Sequence, residues 1–333
     1  MIRIDDIQID EDYYNLLIHL LMSTTGLNLD YYQRNFIEKR IKSRMIRVNC
    51  NTLESYYNYL SQTPSETEKF LDCFNINYSI FFRNWEVFKQ LEEIILYSLY
   101  LSKKEILSDF TPNPERQYTK RAINSRNRWD PKTRSNSLIN RYISHTSIYK
   151  KIWNPSKKTK SLNIWSCPCA NGEEPYSIAM ILDNLKNQIP GFPSFRIIAS
   201  DIDADAIRKA KLGIYNEDHT KNVSSFYEKK YFTKNETNFG FSYSIKEEIK
   251  NCVEYIEEDV TKGHKTSFNY DIIFCRYLLI YINRKVREEF LKVISSRLNS
   301  GGLLILGKTE TLLNSKSNLK LIDTYNRIYM KEG

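Results

Sequence analysis

From Asp12 to about Val48, apolar residues recur at three- and four-residue intervals, first in YYNLLIHLL and again in NFIEKRIKSRMIRV, with Thr25-Gly26 between them. That spacing predicts two amphipathic helices broken at the glycine. The second carries Phe36, Ile37, Ile41 and Met45 on its buried stripe, and Arg34, Lys39, Arg40, Lys42, Arg44 and Arg47 around its polar surface. Two shorter helices are expected over 52–60 and 65–74, opened by the capping signatures Thr52-Leu-Glu54 and Ser65-Glu66-Thr67-Glu68. NINYSIFFRNWEVF follows, then a helix to about Leu101, which makes residues 1–101 an all-helical domain.

Residues 102–160 lose this periodicity and fill with Ser, Asn, Thr, Lys and Arg, interrupted by Pro112, Pro114, Pro131 and Pro155; they read as a flexible insertion. From residue 161, short apolar runs alternate with helical stretches: LNIWSC, FRIIAS, VEYIEED, YDIIFCRYLLIYI, GGLLILGK and a closing LKLIDTYNRIYMK. Such alternation predicts an α/β domain over 161–333, built on a mostly parallel, doubly wound sheet. The polar and aromatic segment 213–252, with alternation in FGFSYSI, is expected to form a small inserted β-subdomain.

Composition sharpens this in three places. With 333 residues, 41% of them apolar, the chain can build two cores. The net charge of +9 is concentrated, because residues 101–160 hold 15 Lys and Arg against 4 Asp and Glu, an excess of 11 that leaves about −2 elsewhere. Aromatics interleave with that basic segment, but it carries no RNA-binding module signature, so no nucleic-acid partner is expected. Six cysteines are scattered rather than spaced as a framework, and no apolar run reaches the ~18 residues of a membrane span. Reduced thiols and a cytoplasmic location are expected.

In a doubly wound sheet, ligands bind beyond the carboxyl ends of the strands. The first such end is WSCPCANGEEPYS, residues 165–177. Cys167 and Cys169 have no second cysteine pair at zinc spacing, so metal binding is not expected. One glycine, Gly172, is too few for a phosphate cradle, and Glu173 and Glu174 beside it would repel an anion. Two carboxylates in a first helical turn, with Pro175 at the opening position, also suit the helix dipole with no ligand at all. The alternative is a cationic ligand; S-adenosylmethionine carries a sulfonium and an α-ammonium and has no phosphate. At the second strand end Asp201 is placed to accept ribose hydroxyls, while Asp203 caps the next helix. Asp259-Val260 ends a third strand, a polar group beside an apolar one suited to adenine. The strand YDIIFC runs into Arg276 and Tyr281, polar groups that need partners where buried.

GEEPYSIAMIL, ASDIDADAIRKAKLGIY, DIIFCRYLLIYI and GGLLILGKTETL, in this order, closely resemble the glutamate methyltransferases of chemoreceptors in bacterial chemotaxis, the CheR family. TTGLNL and FFRN extend the resemblance into the helical part, so that it covers 12–98 and 161–331 and leaves the basic insertion outside. It implies a Rossmann-like S-adenosylmethionine-dependent methyltransferase domain, an all-helical N-terminal domain and a small inserted β-subdomain. Carried over by motif, cofactor contacts fall on Asn77, Ser79 and Arg83, on Glu173 at the methionine or ribose end, on Asp201 at the ribose, on Asp259 and Val260 around the adenine, and on Arg276 and Tyr277. At residue 277 this chain has Tyr where the family usually has Asn, which removes an amide.

The reaction implied is transfer of a methyl group to a glutamate carboxylate, with S-adenosyl-L-homocysteine as product. A carboxylate is already ionised at neutral pH, so no general base is needed; His19, His145, His219 and His264 fall in none of the motifs. Arg83 and Tyr281 are the expected catalytic pair, the first holding a carboxylate oxygen and the second positioning the substrate. The partner implied is the acidic cytoplasmic helical bundle of a chemoreceptor, met by the basic helix Arg34 to Arg47; a monomer is expected. Two rivals stand beside this: a scaffold with a retained cofactor fold and little turnover, and a methyltransferase acting on RNA or another substrate.

Overall fold

A computed structural model describes residues 7–74, 79–106, 161–189, 191–237, 240–312 and 318–332. Most of the basic segment 102–160, and Asn77, lie outside these residues. The helical part opens with α1 (Glu11–Thr25), capped by Asp10, whose carboxylate accepts the Asp12 and Tyr13 N–H groups, and ended by Gly26 at φ 72°. Next come α2 (Arg34–Arg47), α3 (Leu53–Gln62) and α4 (Pro64–Phe74). The capping partner of Thr52 is Ser55 rather than Glu54, the two hydroxyls and backbone N–H groups pairing reciprocally.

Leu17, Leu21, Ile41, Met45, Tyr56 and Phe70 are fully buried in the bundle core. Arg44 is in that core too, which corrects its placement on the basic surface of α2. Residue 44 lies three and seven positions after Ile41 and Ile37, on the same buried face. Its guanidinium donates to both oxygens of Glu66, each at 2.7 Å, and the Tyr56 hydroxyl donates to the same carboxylate at 3.0 Å. Glu66, read from sequence as a capping residue, is the counter-ion of this buried fork.

Helix α5 (Trp85–Ile106) packs Val87, Phe88 and Leu91 into one core with Ile164, Phe274 and Ile305 of the sheet. The sheet has strands β1 (Ser161–Ser166), β2 (Ser194–Asp201), β6 (Val253–Glu257), β7 (Tyr270–Cys275), β8 (Leu298–Leu306), β9 (Leu319–Asp323) and β10 (Ile328–Lys331), in the order β6-β2-β1-β7-β8-β10-β9. The first five are parallel; β10 is antiparallel to both its neighbours. Strand order reverses at β1, so a crevice opens beside its carboxyl end. The closing segment, read as one element, is a hairpin, because Asp323 accepts the Asn326 backbone and side-chain N–H groups and turns the chain.

Helix α6 (Glu173–Gln188) follows β1 and begins two residues before Pro175, with Gly172 as its cap. Proline is tolerated there because the first turn of a helix leaves its N–H groups unpaired in any case. Helix α7 (Ala204–Leu212) follows β2 and is capped, as expected, by Asp203. The inserted subdomain is an antiparallel sheet of β3 (Ile214–Asn216), β5 (Gly240–Ile245) and β4 (Phe232–Thr237), with short helices α8 (Glu217–Thr220), α9 (Ser225–Tyr231) and α10 (Glu247–Lys250). Helix α11 (Arg284–Arg297) leads into β8.

Candidate active site

The turn after β1 is shaped by Gly172, at φ 94°, where a β-carbon would lie 2.7 Å from the Tyr255 hydroxyl, 2.9 Å from Ala210 Cβ and 3.1 Å from the Tyr215 hydroxyl. Only glycine fits both the backbone and the space. Asp201 braces the turn: its carboxylate accepts the Ala170 N–H at 2.8 Å and the Asp203 N–H at 3.1 Å. Burial pushes its pKa up to about 6 against the pull of those N–H groups. Burial also raises the thiols of Cys167 and Cys169 well above the usual range, which keeps them protonated and packed.

The two glutamates face different ways. Glu174 accepts the Ser166 hydroxyl at 2.8 Å and the Arg276 guanidinium at 3.0 Å. Glu173 is fully buried; one oxygen lies 2.5 Å from His219 Nδ1, and the other has no hydrogen-bond partner among the described residues. Arg276 also donates to the Arg83 carbonyl at 3.0 Å and to Asn84 Oδ1 at 2.5 Å, so the β7 end is tied to the FFRN segment. FFRN is held from the other side by the Ser177 hydroxyl, which accepts the Phe82 N–H, and by the His219 carbonyl, which accepts the Phe81 N–H. Phe82, Asn84, Ala170 and Tyr277 all have φ between 47° and 63°; Ala170 and Tyr277 line one crevice, and Phe82 and Asn84 flank Arg83, which lines it too. Strain of this kind persists where the surroundings over-determine the backbone, commonly at functional sites.

The crevice is lined by Ser79, Arg83, Pro168, Cys169, Ala170, Glu174, Arg276, Tyr277 and Tyr281. Five residues expected from sequence (Ser79, Arg83, Arg276, Tyr277 and Tyr281) therefore share one cleft. Asp201 and Asp259 stand at the ends of neighbouring strands, joined through the Glu258 N–H to the Asp201 carbonyl, outside the lining. Asp259 caps the turn Val260–Lys262 through the Thr261 N–H and hydroxyl, and Val260 is buried beneath the sheet end. Tyr281 forms the wall toward the helical part: its ring lies 4.9 Å from that of Phe36, and its carbonyl accepts the Gln33 N–H at 2.7 Å. Burial raises its pKa, with the positive charges of Arg40 and Arg83 pulling it back.

The sequence motifs assign no site role of their own to Glu174, His219, Asn84 or Glu310. Glu310 is 2% exposed and accepts the N–H groups of Tyr277, Leu279 and Gly307, each at 2.7 Å, so one carboxylate shapes the loop from Arg276 to Tyr281. Its place in GKTETL was visible, but not its function as a backbone hub. His264 is also consumed structurally, between Glu258 at 2.6 Å and the Tyr270 hydroxyl at 2.5 Å.

Residues 135–328 match the family model for the CheR methyltransferase, SAM binding domain, which spans more than half of the chain, and residues 12–74 match the CheR methyltransferase, all-alpha domain. The chain belongs to the CheR methyltransferase family. The chemotaxis protein methyltransferase of Borreliella burgdorferi is 25% identical over 95% of this chain and 94% of its own. Chemotaxis protein methyltransferase 2 of Vibrio cholerae is 26% identical over 86% and 81%. The chemotaxis protein methyltransferase of Escherichia coli is 30% identical over 46% of this chain and 54% of its own. As a CheR protein, the chain is an S-adenosylmethionine-dependent methyltransferase with an all-helical N-terminal domain, as its motifs implied. Among the described residues, no helix of this CheR protein is long and apolar enough to cross a membrane.

Proposed function

We propose that this chain transfers the methyl group of S-adenosylmethionine to glutamate side chains of chemoreceptors, in the cytoplasm, as a monomer. The observation that carries the reading is the character of the cleft, where the Arg83 guanidinium and the Tyr281 hydroxyl share one wall system while the lining carboxylate, Glu174, is already committed to Ser166 and Arg276. A site rich in positive charge and hydrogen-bond donors suits an acceptor that arrives ionised, because no proton has to be removed.

The residues present fit the cofactor. A buried carboxylate oxygen without a partner is costly, and the open oxygen of Glu173 is answered by an ammonium or hydroxyl donor. Each Asp201 oxygen accepts one N–H and retains capacity for a ribose hydroxyl. Glu173, Asp201, Ser79 and Arg276 would hold the cofactor, with Asn77 carried over by motif, and Asp259 and Val260 at the adenine end. When bound, it supplies an electrophilic methyl group on a sulfonium. Arg83 holds one oxygen of the acceptor carboxylate through its planar fork, Tyr281 orients the acceptor by its hydroxyl, and the apolar wall of Phe36 and Tyr281 keeps water from a weak nucleophile.

Docking is assigned to α2. With Arg44 buried, and Arg34 paired with Glu11 and Glu38, the cations left to meet an acidic helical bundle are Lys39, Arg40, Lys42 and Arg47. Association should weaken with salt, since exposed charges are screened over roughly 10 Å at about 0.1 M. The domain division 1–101, 102–160 and 161–333 is part of the same proposal. The test offers labelled S-adenosylmethionine with receptor-bearing membranes and, in parallel, RNA, followed by mild alkali. Volatile, alkali-labile label from the membrane protein supports carboxyl methylation; label on RNA, or none despite cofactor binding, removes the reading.

A further inference from the structure

We propose that Tyr277 positions Arg83, so that the ring at residue 277 sets where the acceptor carboxylate is held. The proposal rests on the glutamate reading for what Arg83 then holds, but not for the contact itself. The Arg83 guanidinium carbon lies 3.8 Å from the centroid of the Tyr277 ring. That ring is fixed at both ends: the Tyr277 N–H donates to Glu310 at 2.7 Å, and the hydroxyl donates to Asn84 Oδ1 at 2.6 Å. Asn84 follows Arg83 directly and also accepts from Arg276, so the ring, the arginine and the strand end form one linked set.

The backbone at Tyr277 has φ 63°, an uncommon state for a bulky residue. Against the ring lies Gly307, where a β-carbon would be 2.9 Å and 3.0 Å from ring carbons. The ring therefore packs against a glycine that must stay small, with the Arg83 guanidinium over its face. Arginine stacks on aromatic faces more readily than on amides, and a preset guanidinium loses less freedom when it grips a carboxylate. The Tyr for Asn exchange thus replaces an amide with a platform for the residue proposed to hold the acceptor. A ring that merely fills space would predict no dependence on Arg83.

Full-length Tyr277→Phe and Tyr277→Leu enzymes, each made alone and in combination with Arg83→Ala, separate these cases. The first readout is the rate at which phenylglyoxal modifies Arg83, followed by peptide mass spectrometry. Tyr277→Leu should raise it several-fold while Tyr277→Phe stays near wild type; equal rates in all three would overturn the contact. The second is kcat/KM for the receptor at saturating cofactor. Leucine should lower it by roughly tenfold, the scale of a desolvated cation–π contact, and phenylalanine by less. That loss should vanish when Arg83 is already alanine; a loss undiminished there would overturn positioning. Circular dichroism and the thermal midpoint check that each variant is folded, and Tyr277→Met replaces the leucine variant if that one is not. A wild-type enzyme that labels no receptor glutamate sinks the functional reading and leaves the phenylglyoxal rates to decide the stack.

Discussion

Asp201 ends β2 only 6% exposed, and burial lifts its pKa from 3.8 to about 6. An acid with a raised folded pKa binds more protons folded than unfolded, so stability falls as pH rises between the two values. The stabilisation is fully present below about 3.8 and lost by about 6, and two pKa units correspond to up to about 3 kcal/mol. Urea unfolding of wild type and Asp201→Asn, from about pH 4.5 to about pH 7.5, reads this directly. The wild-type advantage should shrink with rising pH until about 6 and then stay level. Ribose hydroxyls favour the ionised carboxylate, so S-adenosylhomocysteine affinity should rise over the same window by calorimetry. A wild-type advantage that grows with pH would refute the raised pKa; affinity that ignores pH would remove Asp201 from the ribose.

Gly172→Ala should cost about 2–4 kcal/mol and abolish cofactor binding, because both the backbone and the Tyr255 and Tyr215 hydroxyls exclude a methyl group; thermal denaturation with and without S-adenosylhomocysteine checks it. Glu66→Gln should cost about 3–5 kcal/mol by stranding the buried Arg44 charge, seen as a lower denaturation midpoint. Arg83→Ala and Tyr281→Phe should each lower methyl transfer more than S-adenosylhomocysteine affinity, measured by initial rates and calorimetry; unchanged turnover in both would take them out of the mechanism.

Periodicity made the individual helices and strands readable, because each is set by near neighbours in sequence, while the alternation of strands with helices and the motifs at strand ends pointed to the sheet and the cleft. Asp203 as a cap and Gly172 as the turn residue follow from local rules. What stayed hidden depends on long-range packing. Arg44 looked like surface because a charged residue on a basic helix normally is; only Glu66, 22 residues on, shows that it is inside. His219 gave no motif signal, since its link to Glu173 spans 46 residues and forms only when the inserted subdomain folds back on the β1 turn. That same contact separates the surroundings of Glu173 and Glu174, which no local rule distinguished, although the motif resemblance picks Glu173. Tyr277 was visible as a departure at a motif position, but its use needed Arg83, Asn84 and Gly307 in space.

The chemical identity of the methylated group decides what this enzyme does. Tandem mass spectrometry of receptor peptides after reaction with the wild-type enzyme should place the methyl group on glutamate side-chain carboxylates of the cytoplasmic helices, removable by mild alkali. A methyl group on nitrogen, sulfur or another residue, or no transfer by an enzyme that demonstrably binds S-adenosylhomocysteine, would contradict it.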